Sequence, residues 1–184
     1  MLTLFHDFTS PASAVAVARL QRLAEEGMAV EYVGFEAIGI DAALPVTLDV
    51  VAELGRLAPE AQREGVALRR PSRLPPTALA HLIGETADTS DLGAAWRTVC
   101  YRAFWEADAD LADRAVLADL AITAGLDPDL AGAASRDRAR LALLRRRTGQ
   151  RRRDGVGGVP TILAQRTLVP GLLPEDDLRA LAAL

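Results

Sequence analysis

A single cysteine, Cys100, stands in the 184 residues. One thiol can neither close an intramolecular disulfide nor supply the Cys-x-x-Cys pair of a redox site. Lysine is absent, so all 21 basic side chains are arginines; we read this as composition bias. Aromatic residues make up only 4%, which leaves the core to alanine and leucine and favours helix. No apolar run reaches the ~18 residues that cross a bilayer, and no signal-peptide pattern precedes the first strand-like segment. A cytoplasmic location without a membrane partner is therefore expected. The net charge of −4 gives no global basic footprint for nucleic acid. The two histidines, His6 and His81, and the distant cysteine do not make a metal site. The length suits one domain carrying an insert.

What the chain does have is concentrated at its two ends. Gly155-Val156-Gly157-Gly158-Val159-Pro160-Thr161-Ile162-Leu163 brings a glycine-rich approach into Val-Pro and then an apolar strand. Proline opening a strand gives up a ladder donor, and X-Pro bonds adopt cis cheaply. A cis Val159–Pro160 bond facing the first helix is expected. Thr167-Leu168-Val169, a turn at Pro170-Gly171 and a helix over 174–184 follow. At the other end, Leu2, Leu4, Phe5 and Phe8 suggest a strand. Ser10 then reads as an N-cap and Pro11 as the first helical residue. Ala16, Leu20, Leu23 and Ala24 share one helical face, Gly27 ends that helix, and a second strand is expected over 29–35.

The order strand, helix, strand, insert, strand, hairpin, helix, with Ser10-Pro11-Ala12-Ser13 and Gly158-Val159-Pro160-Thr161, resembles the DsbA-like superfamily of thioredoxin folds. Two branches are similar: FrnE-type oxidoreductases, and the 2-hydroxychromene-2-carboxylate isomerase and kappa-class glutathione transferase group. The first normally has Cys-Pro-x-Cys at positions 10–13; the second has Ser-Pro-x-Ser, often after Asp-Phe, as in Asp7-Phe8 here. Segment 73–81, Phe104 to Leu111, and Val116-Leu117 with Gly125-Leu126-Asp127 look FrnE-like. The resemblance implies an α/β thioredoxin fold with an α-helical insert, the core being 1–40 with 154–184 and the insert 41–153.

Between the two ends the sequence reads as helices. One is expected over 46–57, with a separate turn at 59–65; another covers 77–86. Asp91 is expected to cap a helix reaching about Trp105, and Asp113 one ending at Gly125. Asp127-Pro128 opens a short helix, and the last runs over 135–147. Trp96, Cys100 and Phe104 fall on one stripe, which reads as a buried thiol. Segment 70–76, punctuated by proline, is expected to be extended. The insert is expected to pack on the core with a ligand crevice between them.

With serine at position 10, thiol–disulfide exchange is not expected, because a helix dipole worth about 1 kcal/mol cannot ionise a hydroxyl. Binding survives that loss. The resemblance implies that Ser10 donates to a bound thiolate, and that Gly158, Val159 and Pro160 offer backbone to a peptide-like ligand such as glutathione. Ser10 reads equally as a plain N-cap, Ser13 as a second candidate catalytic serine or a surface helix residue, and Asp7 as a residue that caps or orients the active helix or as a solvated strand end. Asp7 and Pro11 are expected to belong to the same ligand site. His6 reads as a polar strand end or a general base, and His81 as a structural hydrogen-bonding residue. The arginines at 145–147 and 151–153 read as a solvated helix end or as an anion site, with Arg153 beside the crevice. Two function classes follow. One is an isomerase- or transferase-like binder of a small thiol or acidic ligand; the other is a non-catalytic module holding a partner peptide in the same groove. A homodimer is compatible with either.

Overall fold

The computed structural model describes residues 1–184. Strand β1 (Leu2–His6) lies inside a four-stranded sheet. It pairs in parallel with β2 (Val30–Gly34) and antiparallel with β5 (Thr161–Ala164), and β5 pairs antiparallel with β6 (Thr167–Pro170). The order is β2-β1-β5-β6, so β2 is an edge strand. Side chains alternate across a strand. Leu2 and Leu4 point to one face and join the main core with Val17, Leu20 and Leu23 of helix α1 (Pro11–Glu25). Phe5 points to the other and meets Phe35 and Val156.

Helices α2 (Leu48–Arg63), α3 (Ala78–Asp88), α4 (Gly93–Ala107), α5 (Arg114–Thr123), α6 (Asp129–Arg136) and α7 (Arg138–Arg153) lie between β2 and β5, and α8 (Glu175–Ala182) closes the chain. The proline-punctuated link contributes a short β4 (Arg73–Leu74), paired antiparallel with β3 (Leu44–Pro45). Trp96, Cys100 and Phe104 are buried in the core, and burial pushes the Cys100 thiol pKa well above its ordinary value. Gly34 matters at the end of β2. A Cβ there would stand 2.5 Å from His81 Nδ1, so only glycine lets α3 lie this close to the strand.

The insert corrects several sequence expectations. The separate helix and turn around Pro59 are one helix, α2, with Pro59 inside it. Proline interrupts one ladder bond, but Arg19 on α1 holds the far half of α2 through Glu60 at 2.5 Å and Glu64 at 2.7 Å. Asp91 is not a cap. It takes a left-handed φ of 58° before the helix, and Leu92 stands at the cap without a side-chain bond; aspartate tolerates that conformation better than most residues. The last insert helix begins at Arg138 behind Asp137, whose Oδ1 accepts from Arg140 N at 2.9 Å, because residues up to Arg136 belong to α6. Asp113 does cap its helix.

Candidate active site at the start of the first helix

Ser10 has the extended backbone of an N-cap, with φ −93° and ψ 118°. Its Oγ accepts from Ser13 N at 3.1 Å and donates to Val159 O at 3.3 Å. The Val159–Pro160 bond is cis. Ser10, Pro11, Ser13, Val159 and Pro160 thus come together from opposite ends of the chain. The proline loop is held locally. Thr161 Oγ1 donates to Gly158 O at 2.7 Å, and Gly171 N donates to Pro160 O at 2.8 Å. No acidic residue occupies the first turn of α1, so the partial positive charge of its N-terminus is available to an anion.

Behind Ser10 lies a buried polar knot centred on Asp7, which is neither solvated nor a helix cap. Its Oδ1 accepts from Thr77 Oγ1 at 2.7 Å and from His81 Nε2 at 3.4 Å, and its Oδ2 accepts from Ala37 N at 2.7 Å. Burial by itself would raise the Asp7 pKa. The hydrogen bond and charge of His81, with the donors Ala37 N and Thr77, outweigh it and hold the group below its ordinary 3.8. Ser13 is fully buried and so is not a surface residue; Asp7 N donates to its Oγ at 3.4 Å. Tyr101 Oη donates to Asp7 O at 3.1 Å, and Trp105 Nε1 donates to Phe8 O at 3.1 Å. Helix α4 of the insert therefore fixes the two residues that lead into the active helix. Tyr101 and Trp105 were legible in the sequence only as a helical i, i+4 pair.

His6 is buried against the same knot. With the Tyr101 proton committed to Asp7 O, His6 Nδ1–H is the donor to Tyr101 Oη, at 3.0 Å. Burial first, then the charges of His81 and Arg97, lower the His6 pKa well below 6.5. His6 stays neutral, and its bonded nitrogen is already in use.

The arginine run is not gathered at Ser10; its members are spread over several partners. Arg145 pairs with Glu36 at 3.1 Å and also with Asp41. Arg151 Nη1 donates to Gly34 O at 3.1 Å, and Arg152 Nη2 donates to Ala37 O at 2.7 Å. The end of α7 is thus clamped to the turn after β2. Arg153 is exposed and donates to Gln150 at 2.7 Å, with no hydrogen bond to Ser10 or the proline loop. A cleft of about 610 Å³ does separate sheet from insert, but it runs along β2 and is not lined by Ser10 or Pro160.

The DSBA-like thioredoxin domain model matches residues 1–182. No curated protein is a significant sequence match. A probable DsbA oxidoreductase from Streptomyces coelicolor superposes with a TM-score of 0.82 at 22% identity, over 99% of this chain and 88% of that one. A 2-hydroxychromene-2-carboxylate isomerase superposes at 0.78 and 22% identity, over 99% and 92%. The cytosolic disulfide reductase DsbM from Pseudomonas aeruginosa, in a structure with GSH, superposes at 0.72 and 21% identity, over 99% and 95%. No helix of this chain is long and apolar enough to cross a membrane. With a sheet, an active helix and a proline loop of that pattern, and a family match along nearly its whole length, the chain belongs to the DSBA-like thioredoxin domain family and carries Ser10-Pro11-Ala12-Ser13 at the start of the active helix.

Proposed function

We propose that the chain binds a small thiol of the glutathione class at Ser10 and the proline loop, and uses it for isomerase- or transferase-type chemistry. The observation that carries this is the Ser10 hydroxyl, fixed by Ser13 N and only 3.3 Å from Val159 O. It stands at a helix start with no acid in the first turn. A bound thiolate would accept the hydrogen bond that Ser10 Oγ now donates to Val159 O, and the helix dipole would favour its charge. Its sulfur would then add to an electrophilic carbon of an acidic substrate. Elimination of the same S–C bond returns the thiol and completes an isomerisation; departure of a leaving group with its electron pair completes a transfer. Likeness to an isomerase and to a reductase solved with GSH supports the ligand class. We place the activity in the cytoplasm, where thiols are kept reduced.

Calorimetric titration with reduced glutathione tests this. Saturable binding is expected, and Ser10→Ala should abolish it while costing about 1 kcal/mol of stability through the lost cap. No heat from glutathione, with capture of extended peptides retained, would move the site to the partner-binding class.

The redox outcome is separate. With Cys100 buried as the only thiol, no insulin-reducing activity is expected above a thiol-free control. Ser10→Cys with Ser13→Cys should introduce some, because the helix start that lowers thiol pKa values in such motifs is intact. Turnover by the unaltered protein would contradict the assignment.

A further inference from the structure

The cleft along β2 has its own chemistry, independent of Ser10. Its floor is the whole free edge Val30–Gly34, and its walls come from α3, α4 and α7. Ala29 O accepts from Leu2 N, and Phe35 N donates to His6 O. By alternation, the main-chain groups of Val30, Tyr32 and Gly34 point away from β1, toward the cleft.

Two buried side-chain atoms lining this space have no hydrogen-bond partner: Tyr32 Oη and Arg97 Nε. Arg97 is 5% exposed. Its guanidinium lies over the Tyr32 ring at 4.0 Å, and its hydrogen bond runs from Nη1 to Asp88 at 2.6 Å. The Nε edge of the fork is left without a hydrogen bond. Buried polar groups are nearly always satisfied, so a lone donor beside a phenol calls for an acceptor from outside the chain.

The charges lining the cleft are unevenly spent. Asp88 is paired with Arg97, and Glu85 with Arg140 and Arg147. Glu31 lies at the exposed rim and accepts from Thr3. Arg151 has no carboxylate partner; its bond is to Gly34 O. Burial first, then the neighbouring Arg147, lower its pKa against the opposing charges of Glu85 and Glu31. Burial raises the Tyr32 pKa to about 12, so the phenol remains a donor at neutral pH. Between these polar groups, Phe8, Val30, Val33 and Trp96 supply the apolar part of the lining. The volume falls within the ~300–1,000 Å³ of small-molecule sites.

We propose that this cleft is a second binding site, for a small organic carboxylate. The carboxylate sits on Arg97 Nε and Tyr32 Oη, with Arg151 as the third cation-side contact, and the apolar body lies against Val30 and Trp96.

The test titrates the whole protein with acetate, hexanoate and benzoate, with benzamide as the neutral match for benzoate. Saturable binding is expected for hexanoate or benzoate, with benzamide weaker by about tenfold, since a hydrogen bond to a charged group carries about that factor. Tyr32→Phe removes only an unpartnered hydroxyl. It should leave the melting temperature unchanged or higher while weakening the carboxylate about tenfold. Ser10→Ala should leave this binding intact, which separates it from the glutathione site. Arg97→Gln should weaken binding as well, and Tyr32→Phe carries the test if that variant does not fold. The proposal is overturned if none of the three carboxylates saturates, if benzamide binds as well as benzoate, or if Tyr32→Phe binds the carboxylate unchanged.

Discussion

Asp7→Ala is expected to lose about 3–5 kcal/mol of folding stability, the usual cost of removing one partner from a buried charged cluster. Domains of this kind are stable by about 5–15 kcal/mol, so the variant would be near the edge of folding. The loss comes from what Asp7 leaves behind. Ala37 N and Thr77 Oγ1, both at 2.7 Å, lose their acceptor, and so does His81. Asp7→Asn keeps the shape and some acceptor capacity, and should lose less, about 1–3 kcal/mol. Urea unfolding followed by circular dichroism measures both. A loss below about 1 kcal/mol for Asp7→Ala at unchanged m-value would mean that the knot is not holding the fold.

Acid is expected to destabilise the protein well before the carboxylates titrate. The His6 pKa is lowered well below 6.5 in the folded state, so the unfolded chain binds the proton more readily. Stability from this group is fully present above the unfolded value of 6.5. It is lost as pH falls from there toward the folded value, at about 1.4 kcal/mol per pH unit for one proton. Asp7 adds a second, lower window. Its pKa lies below 3.8, so its contribution is present above the unfolded value and disappears as pH falls through the folded one. Urea midpoints should be nearly level above pH 6.5 and fall between pH 6.5 and 5, and His6→Gln should flatten that slope by close to one proton. An unchanged slope in the variant would assign the acid sensitivity elsewhere.

Local chemistry made much of the fold legible. Ser10 and Pro11 mark a helix start by cap geometry and a fixed φ, and Asp113 does the same for α5; both are decided within three residues. Leu2, Leu4 and Phe5 marked β1 as a strand. What escaped was set across the chain. Asp7 meets residues 30, 70 and 74 positions away, and nothing near it in sequence distinguishes a buried acceptor from a solvated strand end. Ser13 looked like an exposed helix residue because the α4 side chains that cover it lie far along the chain. The arginines at the end of α7 carried a charge pattern but no address; Gly34, Glu36 and Ala37 became their partners only through folding. Pro59 misled for the same reason, since the Arg19 clamp lies on another helix.

The turn that follows β2 is gripped twice. Asp7 Oδ2 accepts from Ala37 N on one side, while Arg151 and Arg152 hold Gly34 O and Ala37 O from the other. The first grip belongs to the segment leading into the active helix, the second to the helix leading into the proline loop. These halves of the site are more than a hundred residues apart in sequence, yet each takes its position from the same few peptide groups. Residues 34–37 therefore serve as a common datum, as a fixed bearing does for two moving shafts. Loop lengths elsewhere in the insert can drift without misaligning Ser10 and Pro160, whereas a one-residue insertion at this turn would shift one half against the other.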